Sequence, residues 1–223
     1  MNIEKCIEKY SDESYKEMFG LHSEISPEES MVKAKLFLDR FAIVDKSTLK
    51  DCLFTMRKLF RPDGYKGFDV SKMHFSKIFN DDVTLFSYIS SPLFWNENFF
   101  FIQNIAKIMG EKYFYIIEDE ECEEHADAAF QLKIPVDISW EELSDGGFVS
   151  DVVFNMFHNN YLVFGDSGNW GRWCDYENTR VDYEVFGYKT NIPEIQNYRD
   201  WYAMDKEEMA KMNIPDEIKK HYA

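Results

Sequence analysis

Carboxylates that lie close to aromatic side chains in this 223-residue sequence are candidates for general acid and base catalysis. Five carboxylates fall within residues 166–184, among several aromatic residues. They are Asp166, Asp175, Glu177, Asp182 and Glu184, near Trp170, Trp173 and Tyr176. Two carboxyl groups that flank a bond can protonate the leaving group and activate a nucleophile, as in glycosidases. Because the chain holds 41 acidic residues, the closeness of these five carboxylates in sequence does not identify a catalytic pair. A glycosidase-like hydrolase is therefore one of two functional hypotheses, the alternative to a binding protein.

One short motif has the residue types of a nucleophile site. Gly165-Asp166-Ser167-Gly168 resembles the sequence around the nucleophile of trypsin-like serine proteases. That family implies an upstream histidine and aspartate on an all-β double barrel, whereas this chain has strong helix patterns. The same four residues are typical of a tight turn. We therefore predict a turn here and no catalytic residue.

Metal and cofactor motifs are incomplete. Cys122 and His125 form one C-x-x-H pair, which is half of a zinc site, and the chain has no second pair. The acidic residues around them lack the glycine and the ligand spacing of an EF-hand loop. No phosphate-binding glycine motif is present. The four cysteines form no C-x-x-C pair, so we predict free thiols, no metal and no cofactor.

The charge is strongly unbalanced. Lys and Arg number 25 against 41 Asp and Glu, a net charge of -16. No basic residue occurs between Lys133 and Arg172, whereas residues 57–77 hold six basic and two acidic side chains. An acidic protein repels nucleic acid and anionic membranes and attracts basic proteins. We predict a basic protein partner, no nucleic acid and no membrane.

Two further features bear on location. The apolar run at residues 99–102 ends at Gln103, far short of the roughly 20 residues that span a bilayer. The first residues alternate charges and lack the apolar segment of a signal peptide. The predicted location is cytoplasmic.

Two helices are predicted in the first 60 residues. Ser26 followed by Pro27 and Glu29 is typical of a helix start, and Gly64 follows the end of a second apolar repeat over residues 49–60. In the first helix one apolar stripe is predicted to face the core. Its members are Met31, Val32, Leu36, Phe37 and Phe41.

The remaining patterns predict an α+β fold. Helices are expected over residues 96–109 and 148–157, as a short turn after Ser139, and after Pro193. Strand patterns begin near residues 112, 130, 161, 170 and 181, and the last three predict an antiparallel meander. The expectation is one domain, 1–223, with a largely antiparallel sheet packed against several helices: residues 1–60 mainly helical, 96–190 mixed, and 191–223 a helical tail.

The leading functional hypothesis is a non-catalytic acidic binding protein. Its most concrete form is a bacterial immunity or inhibitor protein that neutralises a basic, nuclease-like toxin, since carboxylates speed association with a basic cleft. Aromatic side chains supply the anchoring contacts in such interfaces. The predicted docking face joins an exposed acidic loop to the strand near residues 170–176. Its members are Glu118, Asp119, Glu120, Glu121, Glu123, Glu124, Asp145, Asp151, Asp166, Trp170 and Trp173.

Overall fold

A computed structural model describes residues 1–12, 26–61, 79–89, 96–119, 129–147, 150, 160–175, 183–203 and 205–211. Within these residues the helices are α1 (Ile3–Ser11), α2 (Pro27–Phe41), α3 (Lys46–Leu59), α4 (Asn96–Ile108), α5 (Trp140–Ser144), α6 (Pro193–Tyr202) and α7 (Lys206–Lys211). The strands are β1 (Thr84–Ile89), β2 (Tyr113–Asp119), β3 (Gln131–Pro135), β4 (Asn160–Gly165), β5 (Trp170–Asp175) and β6 (Tyr183–Tyr188). None of these helices is long and apolar enough to cross a bilayer.

The described strands form one antiparallel sheet of six, in the order β1-β6-β5-β4-β2-β3. Strands β4, β5 and β6 are the predicted meander, and β3, which contains Pro135, lies at an edge as a proline-bearing strand should. The α+β prediction is confirmed. The helix predicted over residues 148–157 lies outside the described residues except for residue 150.

Helix starts follow the local sequence closely. The Ser26 hydroxyl accepts a hydrogen bond from the Glu29 N–H at 3.1 Å, with Pro27 in the first turn. Ser139 and Glu142 form a reciprocal capping box at the start of α5. Both arrangements satisfy N–H groups that have no partner inside the helix. The short α5 therefore begins at the residue that the sequence indicates.

Helices cover both faces of the sheet. On one face, α2, α4 and α6 contribute side chains such as Phe37, Ile102 and Ile195 to a buried cluster with Trp170 and Phe186. On the other face, α3 contributes Cys52, Met56 and Leu59 to a second cluster. Trp173, Phe60, Phe79, Tyr115, Phe164 and Val185 belong to this second cluster as well. Because both faces are covered, alternate residues of the central strands point into one core or the other.

The predicted apolar stripe of α2 is wrong in part. Phe37 and Phe41 are buried as expected, together with Ala34 and Leu38. Met31, Val32 and Leu36 are instead exposed, Val32 by 60% and Leu36 by 65%. The helix carries apolar residues around more than one face, and only the face with Ala34, Phe37 and Phe41 meets the sheet.

Two opposed glycines make room for two phenylalanines. Gly171 of β5 and Gly187 of β6 are Cα partners, and a Cβ on Gly187 would lie 2.5 Å from Phe79 Cε1. A Cβ on Gly171 would lie 2.8 Å from Phe60 Cζ. The Phe60 and Phe79 rings contact each other with centroids 4.8 Å apart. Because these two glycines carry no side chain, the ring pair packs directly onto the backbone of β5 and β6.

Gly187→Ala is expected to lower the free energy of unfolding by about 1–3 kcal/mol, because the added methyl overpacks the core against Phe79. Adding Phe79→Leu in the same chain should recover part of that loss by shortening the clashing side chain. Denaturant unfolding of the two single variants and the double variant gives the coupling energy. Strictly additive effects would show that the Gly187 methyl and the Phe79 ring do not compete for space.

Candidate functional site

The tryptophans predicted to anchor a partner are core residues. Trp170 and Trp173 are fully buried, so the expectation of exposed aromatics on β5 is wrong. Trp170 stacks on Phe186 with centroids 6.0 Å apart, and Trp173 lies in the cluster on the opposite face. The reason is topological: β5 has a paired strand on each side and helices over each face, so neither indole can reach solvent.

Glu118 is also internal, contrary to its predicted place on an exposed acidic loop. Its side chain is buried, and Oε2 accepts a hydrogen bond from the Phe130 N–H at 2.9 Å. Lys9 Nζ of α1 lies 3.6 Å from Oε1. A buried carboxylate needs a cation and hydrogen-bond donors, and here α1 and the start of β3 supply them. Glu118 therefore holds α1 against the sheet.

Several predicted docking residues lie outside the described part of the chain. They are Glu120, Glu121, Glu123, Glu124 and Asp151, together with the side chain of Asp119. Their place on a docking face stays a prediction, as does that of Cys122 and His125 at an ion. Among the described residues, no group of three or more potential metal ligands comes together.

Asp166 lies in the turn between β4 and β5, where it accepts a hydrogen bond from the Lys112 N–H at 3.2 Å. Gly168 has φ +70°, a left-handed conformation that suits glycine. The Gly165-Asp166-Ser167-Gly168 motif is thus a tight turn, as predicted. Its serine hydrogen-bonds to the side chain of Glu111, which sequence patterns did not single out.

Glu111 connects the α4–β2 corner to this turn. One carboxyl oxygen accepts from the Ser167 hydroxyl, and the other accepts from Trp170 Nε1–H at 3.0 Å. Burial raises the pKa of the Glu111 carboxyl to about 7, and the nearby Asp166 acts in the same direction, against the hydrogen bonds from Ser167 and Trp170. The carboxyl group therefore takes up or releases a proton near neutral pH.

The hydrolase alternative stays a prediction. It requires two carboxyl groups in one concave site, at least one of them with a raised pKa. Glu111 has such a pKa, but both of its oxygens have partners inside the protein. Of the five carboxylates that suggested this chemistry, Asp166 is the one with a described side chain, and the side chains of the other four lie outside the description.

Asp145 is exposed, as predicted, and borders a groove between α2 and α5. The groove has a volume of about 400 Å³. It is lined by Lys33, Leu36, Phe37, Arg40 and Phe41 of α2, and by Glu141, Glu142 and Asp145 in and after α5. We call it the α2–α5 groove. It combines an apolar floor with a charged rim.

The turn after α5 fits tightly against α2. A Cβ on Gly146 would lie 2.6 Å from the Phe37 ring, and Gly147, with φ +58°, packs against the Ser30 carbonyl. The Ser150 hydroxyl donates to the Ser144 carbonyl at 2.8 Å. These contacts hold α5 and its carboxylates in a defined position along α2.

Ion pairs cross the groove. Lys33 Nζ lies 2.6 Å from Asp145 Oδ1, and Arg40 Nη2 lies 3.1 Å from Glu142 Oε1. The hydrogen bond from Lys33 to Asp145 raises the pKa of the lysine, and the Arg40 guanidinium lowers the pKa of Glu142. Glu141 has no ion pair with any described residue. The rim thus presents three carboxylates against two cations.

The α2–α5 groove continues onto an exposed apolar surface. Leu36 lines it, and Val32 lies one helical turn earlier on α2. One observation in the sequence could have indicated this surface: seven of the fifteen α2 residues are apolar side chains other than proline, spread around too wide an arc to be buried on one face.

Comparisons with known proteins find no match: no family model fits the sequence, and no curated protein or solved structure is similar to it. The geometry and the charge of the chain itself are therefore the basis for a functional proposal.

Proposed function

We propose that this protein is a non-catalytic acidic binding protein whose partner is a basic protein, and that the partner docks in the α2–α5 groove. A bacterial immunity or inhibitor protein that neutralises a basic, nuclease-like toxin is the most concrete form of this function. The observation that carries the proposal is the combination in one groove of an apolar floor, exposed apolar neighbours and a carboxylate rim.

Charge supports a basic partner. The net charge of the chain is -16, and α5 lies in the stretch between Lys133 and Arg172 that has no basic residue. Arg172 itself is buried. Among the described residues, the cations that form ion pairs with Asp145 and Glu142 are Lys33 and Arg40 of α2. A basic surface brought to this rim meets three carboxylates, and long-range attraction raises its association rate.

Apolar contact supplies the affinity in this proposal. Leu36 is 65% exposed and Val32 is 60% exposed. The helix therefore presents two large aliphatic side chains to solvent, while its opposite face is buried against the sheet. Desolvated apolar contacts at the centre of an interface contribute most of its binding energy, while charges at the rim mainly steer association. The groove between these residues and α5 gives a partner side chain a concave place to enter.

The existing ion pairs can be exchanged. Asp145 and Glu142 are more than half exposed in their pairs with Lys33 and Arg40. Exposed ion pairs contribute only about 0–1 kcal/mol, so a partner cation can replace Lys33 or Arg40 with little loss. Lys33 and Arg40 therefore compete with cations of the partner for the carboxylates of Asp145 and Glu142.

This competition predicts opposite effects for two pairs of substitutions. Glu141→Gln with Asp145→Asn removes rim carboxylates and should weaken binding of the basic partner by about tenfold at low salt. Lys33→Gln with Arg40→Gln removes the competing cations and should strengthen binding several-fold. The measurement is retention from an extract of the source cells, at low and at high salt, on each immobilised variant.

The matched control is Asp51→Asn with Glu207→Gln, which changes the net charge by the same amount at exposed residues outside the groove. The control should retain the partner as the wild type does. If no basic protein is retained at low salt, the groove is not the docking site. The same conclusion follows if the control and the Glu141→Gln with Asp145→Asn variant lose the partner equally. Retention that is indifferent to salt would remove the electrostatic basis of the proposal.

A further inference from the structure

One side of α3 presents a basic surface with an aromatic side chain in it. Lys46, Lys50, Phe54 and Arg57 follow one another at steps of four, four and three residues, which places their side chains along one line of the helix. All four are exposed, Phe54 by 66%. The opposite side of α3 is buried in the cluster against the sheet. We call these four residues the α3 stripe.

The α3 stripe is positive in a chain of net charge -16. Within α3, four basic side chains stand against one carboxylate, that of Asp51. Asp51 lies seven residues before Lys58 and therefore shares the edge of the helix where Lys58 donates to the Ser167 carbonyl at 3.2 Å. Asp45 caps the start of the helix, where its carboxylate accepts from a backbone N–H at 2.7 Å. No described carboxylate forms an ion pair with the three cations of the stripe.

The α2–α5 groove has the complementary features. Its floor is apolar, Leu36 at its side is 65% exposed, and three carboxylates stand at its rim. Glu141 forms no ion pair with a described residue, and the pairs of Lys33 and Arg40 with the other two are exposed contacts that another cation can replace. The groove is thus an apolar floor bordered by carboxylates, and Phe54 is an apolar side chain bordered by cations. Such complementary charge favours specific association.

The stripe and the groove lie on opposite sides of the sheet. Helix α2 contributes Phe37 and Phe41 to the cluster on one face, whereas α3 contributes Cys52 and Met56 to the cluster on the other. The stripe of one molecule therefore cannot reach its own groove, and contact between the two surfaces requires a second copy. A contact between two different surfaces closes into a ring of copies or continues as an open chain.

We propose that a second copy of this chain docks its α3 stripe in the α2–α5 groove, with Phe54 on the apolar floor and Lys46, Lys50 and Arg57 at the carboxylate rim. This inference rests on the groove of the proposed function, so a second copy and a basic partner exclude each other there. Repulsion between two chains of net charge -16 keeps the contact weak. At about 0.1 M salt the Debye length is about 10 Å, so repulsion beyond contact distance is largely screened.

Sedimentation equilibrium of the whole chain tests the proposal, at about 0.1 M salt and over about 0.01–1 mM protein, the range in which weak contacts dissociate. The weight-average mass of the wild type should rise with concentration. Lys50→Gln with Phe54→Ala should raise the dissociation constant at least about tenfold, because it removes an anchor and a cation from the contact. Lys107→Gln with Phe100→Ala, the same changes at exposed residues of α4, should leave it within about twofold.

Glu141→Gln with Asp145→Asn separates local from overall charge. It lowers the net repulsion between copies, so an effect of overall charge would strengthen self-association, whereas loss of the rim should weaken it by about tenfold. An equimolar mixture of this variant with the Lys50→Gln, Phe54→Ala variant supplies one intact stripe and one intact groove. The mixture should therefore form dimers and nothing larger, although each variant alone stays largely monomeric.

Three results would each overturn the proposal: a wild type that stays monomeric over this range, equal losses in the stripe variant and its α4 control, or a mixture no more associated than its components. Retention of the basic partner is a separate readout, and the Lys50→Gln, Phe54→Ala variant should retain that partner as the wild type does. A monomeric wild type that retains the partner in the groove would refute docking of a second copy alone. Self-association through the groove with no basic partner retained would refute the partner proposal alone.

Discussion

Replacing Trp170 with alanine should lower the free energy of unfolding by about 3–5 kcal/mol, the usual range for a buried tryptophan. Its indole is fully buried and stacks on Phe186 at 6.0 Å. The substitution leaves a cavity beneath the sheet and also removes the N–H that donates to Glu111 Oε2 at 3.0 Å. A loss of this size approaches the whole stability of many domains.

Trp201 provides the matched control, because the same side chain is 84% exposed at that position on α6. Trp201→Ala should change the free energy of unfolding by no more than about 0.5 kcal/mol. Urea unfolding of both variants measures the difference. Similar losses in the two variants, or a stable Trp170→Ala protein with weakened partner binding, would contradict the assignment of Trp170 to the core.

The second large effect concerns Glu111 and pH. Its pKa is about 7 in the folded protein, against 4.5 for an ordinary glutamate. Between these values the folded protein keeps a proton that the unfolded chain has lost. The Glu111 contribution to stability is therefore complete below about pH 4.5 and is lost as the pH rises through about 7. The expected loss is on the order of 3 kcal/mol.

Glu111→Gln isolates this contribution from the other titrating groups, including the neighbouring Asp166. A glutamine can accept from Trp170 and donate to Ser167 without ionising. The wild type should therefore fall behind the glutamine variant in unfolding free energy as the pH rises from 5 to 8. Glu111→Ala, which leaves Trp170 Nε1–H without its acceptor, should be less stable than Glu111→Gln by about 1–3 kcal/mol at every pH. A constant difference between wild type and Glu111→Gln would rule out ionisation of Glu111 in this range.

Local sequence patterns predicted the elements that depend on neighbouring residues. The helix start at Ser139 and the turn at residues 165–168 were predicted because each satisfies a short-range geometric need. Strands β4 and β5 of the meander were predicted because residues 166–169 between them form a short turn. Strand β1 was missed, since the pairing of Phe86 with Phe186 joins residues that are 100 positions apart.

Burial was harder to predict, because it depends on which faces the whole fold covers. Trp170 and Trp173 were expected at the surface, yet a central strand with helices over both faces buries them. Glu118 was predicted in an exposed acidic loop, yet it is buried and forms an ion pair with Lys9 of α1. Val32 and Leu36 were expected in the core, yet α2 meets the sheet through its other face. The candidate groove depends on these same long-range contacts and could not be read from sequence spacing.

The most direct test of basic-partner docking in the α2–α5 groove is the association rate constant of the retained partner, measured as a function of ionic strength. For the wild type it should fall by about tenfold or more between low and high salt, because carboxylates at the rim steer the encounter. Glu141→Gln with Asp145→Asn should flatten that dependence, whereas Leu36→Ala should leave it unchanged and raise the dissociation rate constant. The same salt dependence in wild type and the neutralised variant, with dissociation unaffected by Leu36→Ala, would contradict docking in this groove.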